Sequence, residues 1–123
     1  MLPVPSIINR LLSSLCKSIP FLRDLPMRFI DFYGVKLLAK LQDCWRFVQP
    51  FEPLTHEFIV SHAKEGDIFL DVGAHVGIYA VKLARKVSKV IALEPEPQNY
   101  GFLYRNILVN GLGDKIIALP VAA

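Results

Sequence analysis

The stretch that decides the fold is IFLDVGAHVG, residues 68–77. It opens as an apolar run that contains one acid, Asp71, and ends at Val72, and two glycines, Gly73 and Gly77, punctuate the turn that follows. An apolar run that passes at once into a glycine turn is typical of a strand leading into a helix at the carboxyl edge of a parallel sheet. Glycine can take backbone angles closed to other residues and lets a ligand approach the main chain. The stretch therefore predicts a strand, a tight turn and a helix start, with a ligand site at the turn.

Two further apolar runs repeat this layout along the chain. Residues 90–93 (VIAL) end in another acid, Glu94, and residues 116–119 (IIAL) follow later. Helical patterns at 78–86 and 97–110 separate the three runs. Strands that are apolar on both faces belong in a parallel sheet covered by helices, and right-handed crossovers place them in the order 3-2-1. The predicted fold class is α/β: a Rossmann-like doubly wound parallel sheet, truncated after its third strand.

The segment before the sheet differs in pattern and charge. Prolines break residues 1–50 into short stretches with apolar residues at helical spacing, which predicts a helical accessory segment ahead of a partial cofactor-binding domain at 51–123. Residues 1–50 carry seven Lys and Arg against three Asp, so this segment could contact an anionic membrane surface or an acidic partner.

The composition of the sequence limits where the protein resides and which kinds of site it can form. No uncharged apolar run approaches the roughly 20 residues that span a bilayer. Two cysteines without CxxC spacing fit a reducing compartment, so we expect a cytoplasmic protein, with peripheral membrane contact through residues 1–50 left open. His56 and His62 are six residues apart, off the spacing that puts two ligands on one helix face, and no metal site is predicted.

Three kinds of cofactor compete for the glycine turn. A P-loop needs Lys followed by Ser or Thr after its last glycine, but Ile78 and Tyr79 follow Gly77. A dinucleotide site prefers a glycine where His75 stands, because the pyrophosphate must approach the backbone there. S-adenosylmethionine has no phosphate, so neither objection applies to it, and amides at the helix start could meet its carboxylate. Asp71 could accept from the ammonium group of this cofactor, and a Glu at the end of the next strand could accept from its ribose hydroxyls.

Three blocks of the sequence also resemble one known family. DVGAHVGIY at 71–79, VIALEPEPQNY at 90–100 and the helix exit at 105–112 are similar to the FkbM-type class I S-adenosylmethionine-dependent methyltransferases, over residues 51–123. The resemblance implies S-adenosylmethionine as cofactor and a hydroxyl of a sugar or other small metabolite as methyl acceptor. The candidate cofactor-binding residues are Asp71, Val72, Gly73, Ala74, His75, Gly77, Glu94 and Pro95.

Members of that family continue beyond the third strand to an acceptor site, whereas this sequence stops at residue 123. We therefore expect a fragment that lacks the acceptor site, and no catalytic base can be named, since His75 sits in the cofactor loop. In a doubly wound sheet the fourth strand lies beside the first. Without it, residues 68–72 would form a bare apolar edge that could pair with a second copy of the chain.

Other functions stay open at this point. One is a nicotinamide-dependent oxidoreductase half-domain, and another is a non-catalytic relic that binds a partner or a membrane through residues 1–50. A nucleic-acid methyltransferase is a third. It is the least expected, because the sequence shows no aromatic and basic stacking platform and no Asn-Pro-Pro-Tyr-like motif. Nucleic acid is therefore an unlikely partner on the sequence alone.

Overall fold

A computed structural model describes residues 6–31, 33–46 and 52–123 of the chain. The helices and strands, in chain order, are α1 (Ser6–Ser18), β1 (Pro26–Ile30), β2 (Lys36–Lys40), α2 (Pro53–His62), β3 (Ile68–Val72), α3 (Ile78–Leu83), β4 (Lys89–Leu93), α4 (Pro97–Val109) and β5 (Ile116–Leu119). Short 3-10 turns lie at Pro20–Leu22 and Leu41–Arg46.

The central sheet is parallel and has the predicted order. β4 lies between β3 and β5, with Asp71 opposite Ala92 and Ile91 opposite Ile117. Val90 and Ala92 are fully buried in a core that includes Leu103 of α4 and Val81 of α3. The observed order β3-β4-β5 confirms the α/β prediction and the predicted strand order. Strands joined by helical crossovers in this order can bury one face of the sheet under both helices.

The first and second predicted helices of this sheet begin as their sequences indicate. α3 starts after Gly77, whose φ is 94°. At the start of α4 the Glu96 side chain accepts from the amides of Gln98 (3.1 Å) and Asn99 (2.7 Å), and these hydrogen bonds lower the pKa of Glu96. Pro97 occupies the first turn, where its missing amide proton costs nothing. The acid therefore caps a helix, in line with its position in the sequence.

The segment before the sheet is helical in part, and its helical prediction is wrong over residues 26–40. α1 forms, but β1 and β2 pair as an antiparallel hairpin with Arg28 opposite Leu38. The Asp31 carboxylate accepts from the amides of Tyr33 (3.0 Å) and Val35 (2.7 Å), which fixes the turn. Buried and more exposed residues alternate along β2, as they do in a strand that packs on one face. Leu37 and Ala39 are buried against the sheet domain, and their neighbours are not.

The boundary predicted at residues 50 and 51 lies outside the described residues, so the division into two parts stays a prediction. The hairpin itself is joined to the sheet domain, because Asn106 of α4 and Asn110, which follows α4, both hydrogen-bond to the backbone of β2. None of the helices in the described part of the chain is long and apolar enough to cross a membrane.

β3 is an edge strand of the described sheet, as expected. Ile68, Leu70 and Val72 project from it on the face opposite α3 and α4, and each is more than half exposed. Ile117 and Leu119 of β5 continue this exposed apolar face. Self-association through β3 stays a prediction.

Candidate functional site

The carboxyl ends of β3 and β4 bring the two predicted acids to one rim. The turn after β3 folds over the end of β4, where the amides of Gly73 and Ala74 both donate to the Leu93 carbonyl at 2.9 Å. Glu94 follows Leu93 directly, and its own amide donates to Leu119 at 3.1 Å. Asp71 and Glu94 are close enough for the charge of Glu94 to raise the pKa of Asp71. The rim therefore carries two carboxylates on neighbouring parallel strands.

Glu94 is held by the backbone on both sides. Its side chain is buried, with 6% of the residue exposed. One carboxylate oxygen accepts from the His75 amide at 2.8 Å and the other from the Glu96 amide at 2.9 Å. Because an ionised carboxylate can accept about four hydrogen bonds, each oxygen keeps capacity for one more donor. Glu94 is thus oriented and still able to accept from a pair of hydroxyls.

Asp71 is half-buried, and its carboxylate lacks a full set of partners. Its Oδ2 is inaccessible to solvent and has no hydrogen-bond donor among the described residues. Burial raises the pKa of Asp71 to about 6, the charge of Glu94 adds to the rise, and the Ala80 amide opposes it. A buried carboxylate beside a second carboxylate is stabilised most by a cation, so this position suits a ligand that carries an ammonium group.

Glycine is required at the two positions of the turn for different structural reasons. Gly73 has a φ of +73°, and a Cβ built on it would meet nothing within 4 Å, so the space beside it is open. Gly77 has a φ of +94°, and its Cβ would lie 2.8 Å from Leu103 Cδ1. Gly77 therefore permits α3 and α4 to pack closely, and its predicted contact with a cofactor is not needed to explain it.

The amides of the turn are already used within the protein. Those of residues 73 and 74 donate to Leu93, that of His75 donates to Glu94, and that of Gly77 donates to Ala74 at 2.9 Å. These four amides therefore give no support to the expectation that amides of this region bind the carboxylate of a ligand. The amides give the turn its shape, and the open side of Gly73 gives a ligand its room.

His75 connects the turn to the segment before the sheet. Its backbone is left-handed, with a φ of 55°. Its Nε2 lies 3.8 Å from Asp43 Oδ2 in the 3-10 turn Leu41–Arg46. Burial lowers the pKa of His75 and the charge of Arg46 lowers it further, while the charges of Asp43 and Glu94 oppose this. This placement fits a residue that fixes the loop.

The remaining predicted residues also lie at or near this rim. Ala74 is buried and Pro95 is exposed beside Glu94. Val72 points to the exposed face of the sheet, away from α3. Seven of the eight candidates thus lie at the ends of β3 and β4, and the eighth, Gly77, begins α3.

Asn106 is a buried residue for which the sequence patterns predict no separate role. It has no exposed surface, and its Oδ1 accepts from the Leu38 amide at 2.5 Å. Its Nδ2 donates to the carbonyls of Leu38 (2.9 Å) and Val76 (2.7 Å). The side-chain amide of Asn106 therefore links the hairpin and the turn to α4. The available signal was a polar residue within the apolar stripe of α4.

These observations test the expected cofactor. An unpartnered Asp71 oxygen, open space at Gly73 and two oriented oxygens on Glu94 fit a nucleoside with two ribose hydroxyls and a positively charged end. A phosphate would meet two carboxylates at this rim, and Coulomb repulsion disfavours it. The site fits S-adenosylmethionine better than a dinucleotide.

Comparison with known proteins identifies the family. A family model described as the TRM5/TYW2 methyltransferase domain matches residues 52–122. A tRNA (guanine(37)-N(1))-methyltransferase of Danio rerio is 38% identical over 61 residues, which are 50% of this chain and 13% of that protein.

Two solved structures share the fold. The M. jannaschii tRNA m1G37 methyltransferase superposes with a TM-score of 0.62 at 21% identity, over 94% of this chain and 41% of that one. M. jannaschii TYW2 in complex with AdoMet superposes with a TM-score of 0.62 at 20% identity, over 79% and 43%. The chain thus spans less than half the length of each of these three proteins.

These findings confirm one prediction and correct others. The predicted class, an S-adenosylmethionine-dependent methyltransferase, is confirmed, but the matched family is not the FkbM type. Methylation of a sugar or metabolite hydroxyl has no support. The expectation that nucleic acid is an unlikely partner is wrong, since the Danio rerio relative is named for a tRNA guanine. The missing motif had little weight as evidence, because the 61 matched residues cover only 13% of that relative. The chain belongs to the TRM5/TYW2 methyltransferase family.

Proposed function

We propose that this chain binds S-adenosylmethionine between Asp71 and Glu94 and is the cofactor-binding part of an enzyme that methylates tRNA. The observation that carries the proposal is the rim itself, where the half-buried Asp71 and the buried Glu94, at the ends of neighbouring strands, flank an open glycine turn. Membership of the TRM5/TYW2 family supports the reaction class.

Glu94 would hold the ribose. Its two oxygens are fixed by the amides of His75 and Glu96, so they can accept from two neighbouring hydroxyls without losing side-chain freedom on binding. His75 takes part through its backbone, and Ala74 and Pro95 border the same space. Gly73 leaves the volume into which the nucleoside fits.

Asp71 would hold the ammonium end of the cofactor. An ammonium group beside the Asp71 carboxylate would offset the burial that disfavours its charged form. Binding then favours the ionised form of Asp71, so cofactor affinity should fall as pH drops through about 6. Val72 would act through its backbone, because its side chain faces away.

The bound cofactor would supply a methyl group on a sulfonium for in-line transfer to an acceptor, and the sulfur would leave as a neutral thioether. The residues described above bind and orient that group. The tRNA substrate is proposed from the names of the relatives. Residues 51–123 remain our proposal for the cofactor domain and residues 1–50 for an accessory segment, although the hairpin of that segment packs on α4.

Isothermal titration with S-adenosylmethionine tests the site, with the wild type compared to Glu94→Gln. The variant leaves one of two backbone amides without an acceptor and weakens the ribose contact, so the binding free energy should weaken by about 1–3 kcal/mol, which is roughly 5- to 150-fold in affinity. Glu65→Gln, on an exposed glutamate away from the rim, is the matched control and should bind as the wild type does. Equal affinities for all three proteins would refute the assignment of Glu94.

Transfer of a labelled methyl group to tRNA tests the substrate. The proposal predicts label in tRNA when the polypeptide that contains this domain is incubated with the labelled cofactor, and none in a sugar or small-metabolite pool. Cofactor binding without label in any tRNA would leave the site in place and remove the substrate.

A further inference from the structure

A basic groove lies between the hairpin turn, α3 and the end of α4. It has a volume of about 470 Å³, and its polar lining consists of Tyr33, Lys36, Lys82, Arg85 and Asn110. The groove is separate from the rim, because none of the eight candidate cofactor residues lines it.

The lining of the basic groove is positively charged. It includes three cationic side chains and no carboxylate. Lys36 and Arg85 are exposed, and neither forms an ion pair with any acid in the described ranges. Two uncompensated cations beside one concave surface attract a polyanion.

The third cation belongs to the floor of the basic groove. Lys82 Nζ lies 3.5 Å from the centre of the Tyr33 ring, and the ring of His56 stacks on Tyr33 at 3.7 Å with 7° between the planes. Burial lowers the pKa of Lys82, and the charge of Asp31 opposes this. Because a cation and a ring this close to Tyr33 need opposite faces, no face of Tyr33 is open to a base.

The groove also has a fixed shape. Asn110 Nδ2 donates to the Lys36 carbonyl at 2.9 Å and to the Asn106 carbonyl at 2.8 Å. The hairpin strand that carries Lys36 is therefore tied to the end of α4. A concave surface that carries cations favours a narrow ligand such as a phosphate backbone over a flat membrane surface.

We propose that the basic groove binds the phosphate backbone of RNA through Lys36 and Arg85. The proposal rests on the tRNA substrate proposed above and gives that substrate a contact outside the cofactor site. Backbone contacts position a nucleic acid without reading its bases, and the covered faces of Tyr33 agree with this. Binding here is salt-dependent and independent of base sequence.

The test is a double charge reversal, Lys36→Glu with Arg85→Glu, followed by fluorescence anisotropy with an unmodified tRNA transcript over a range of salt concentrations. Each lost phosphate contact lowers the slope of log K against log salt by about 0.7–0.9, so the slope should fall by about 1.4–1.8 and affinity by more than tenfold. The control pair, Arg10→Glu with Lys17→Glu, changes the net charge equally on exposed positions of α1. It should bind RNA more tightly than the groove variant.

Three outcomes would overturn the proposal. If the groove variant and the control pair bind tRNA equally, the groove has no special role, while the proposed function stands. If the wild type binds cofactor but no tRNA, the tRNA substrate and the groove fail together. If the wild type binds anionic phospholipid vesicles through these residues and not tRNA, the ligand is a membrane. Titration of the groove variant with S-adenosylmethionine should give wild-type affinity, which shows that the variant is folded.

Discussion

Replacing Asp71 with Asn should make the protein more stable at neutral pH and poorer at binding its cofactor. Asn has the shape of Asp without the charge, so the substitution removes the cost of a buried carboxylate whose Oδ2 has no donor in the described structure. It also removes the partner that we assign to the ammonium group of the cofactor. Stability and binding should therefore change in opposite directions.

The magnitude follows from the pKa of Asp71. Burial raises this pKa from 3.8 to about 6, and each pKa unit corresponds to about 1.4 kcal/mol. The ionised side chain therefore disfavours the folded state by at most roughly 3 kcal/mol at neutral pH. Because the residue is only half-buried, we expect Asp71→Asn to raise the free energy of unfolding by about 1–3 kcal/mol.

The pH dependence has a defined sign. A carboxyl whose folded pKa is raised contributes fully to stability below the unfolded pKa of 3.8, and this contribution is lost as pH rises through about 6. The advantage of Asp71→Asn should thus be full above about pH 7 and vanish near about pH 4. Urea unfolding of both proteins at several pH values measures it. A variant that is less stable at neutral pH, or an advantage that does not depend on pH, would refute this reasoning.

Two further predictions concern packing around the turn. Gly77→Ala should destabilise the fold by about 1–3 kcal/mol in urea unfolding, because its Cβ would approach Leu103 to 2.8 Å at a φ of +94°. Gly113→Ala is the control and should change stability little, since the space around Gly113 is open. Equal effects of the two substitutions would contradict the packing role of Gly77. Asn106→Ala should cost about 3 kcal/mol, since it leaves buried backbone groups unpaired. The same variant should increase hydrogen exchange in β2, and unchanged exchange there would argue against the link to the hairpin.

The sheet could be predicted from the sequence because its signals are local. The apolar runs at 68–72, 90–93 and 116–119 are short, continuous and bounded by glycine, proline or acids, and helical patterns separate them. Crossover handedness then leaves one order for three strands. The rim followed from the same logic, since acids at the ends of parallel strands meet at one edge.

The hairpin was missed because its signals depend on contacts made elsewhere. Residues 35–41 are compatible with either a helical or an alternating pattern, and the choice is made by burial of Leu37 and Ala39 against the sheet domain. Asp31 gives a local signal, since its carboxylate closes the turn at Tyr33 and Val35. Without a known partner, that signal fits a helix start as well as a turn.

The contacts that hold the turn were also beyond sequence reasoning. His75 approaches Asp43 over 32 positions of sequence, and Asn106 reaches Leu38 over 68. No spacing rule connects residues so far apart. The family was placed wrongly within its class because the matching blocks describe the cofactor loop, whereas the acceptor is chosen by parts of an enzyme that these blocks do not include.

The most direct measurement of the central claim is a nuclear magnetic resonance titration of the ¹⁵N-labelled chain with S-adenosylmethionine. We predict that backbone amide signals of residues 73–75, Glu94 and Glu96 shift together as cofactor is added, while those of residues 10–17 in α1 stay in place. Shifts confined to the hairpin at residues 26–40, or no shifts at millimolar cofactor, would contradict a nucleoside held between Asp71 and Glu94.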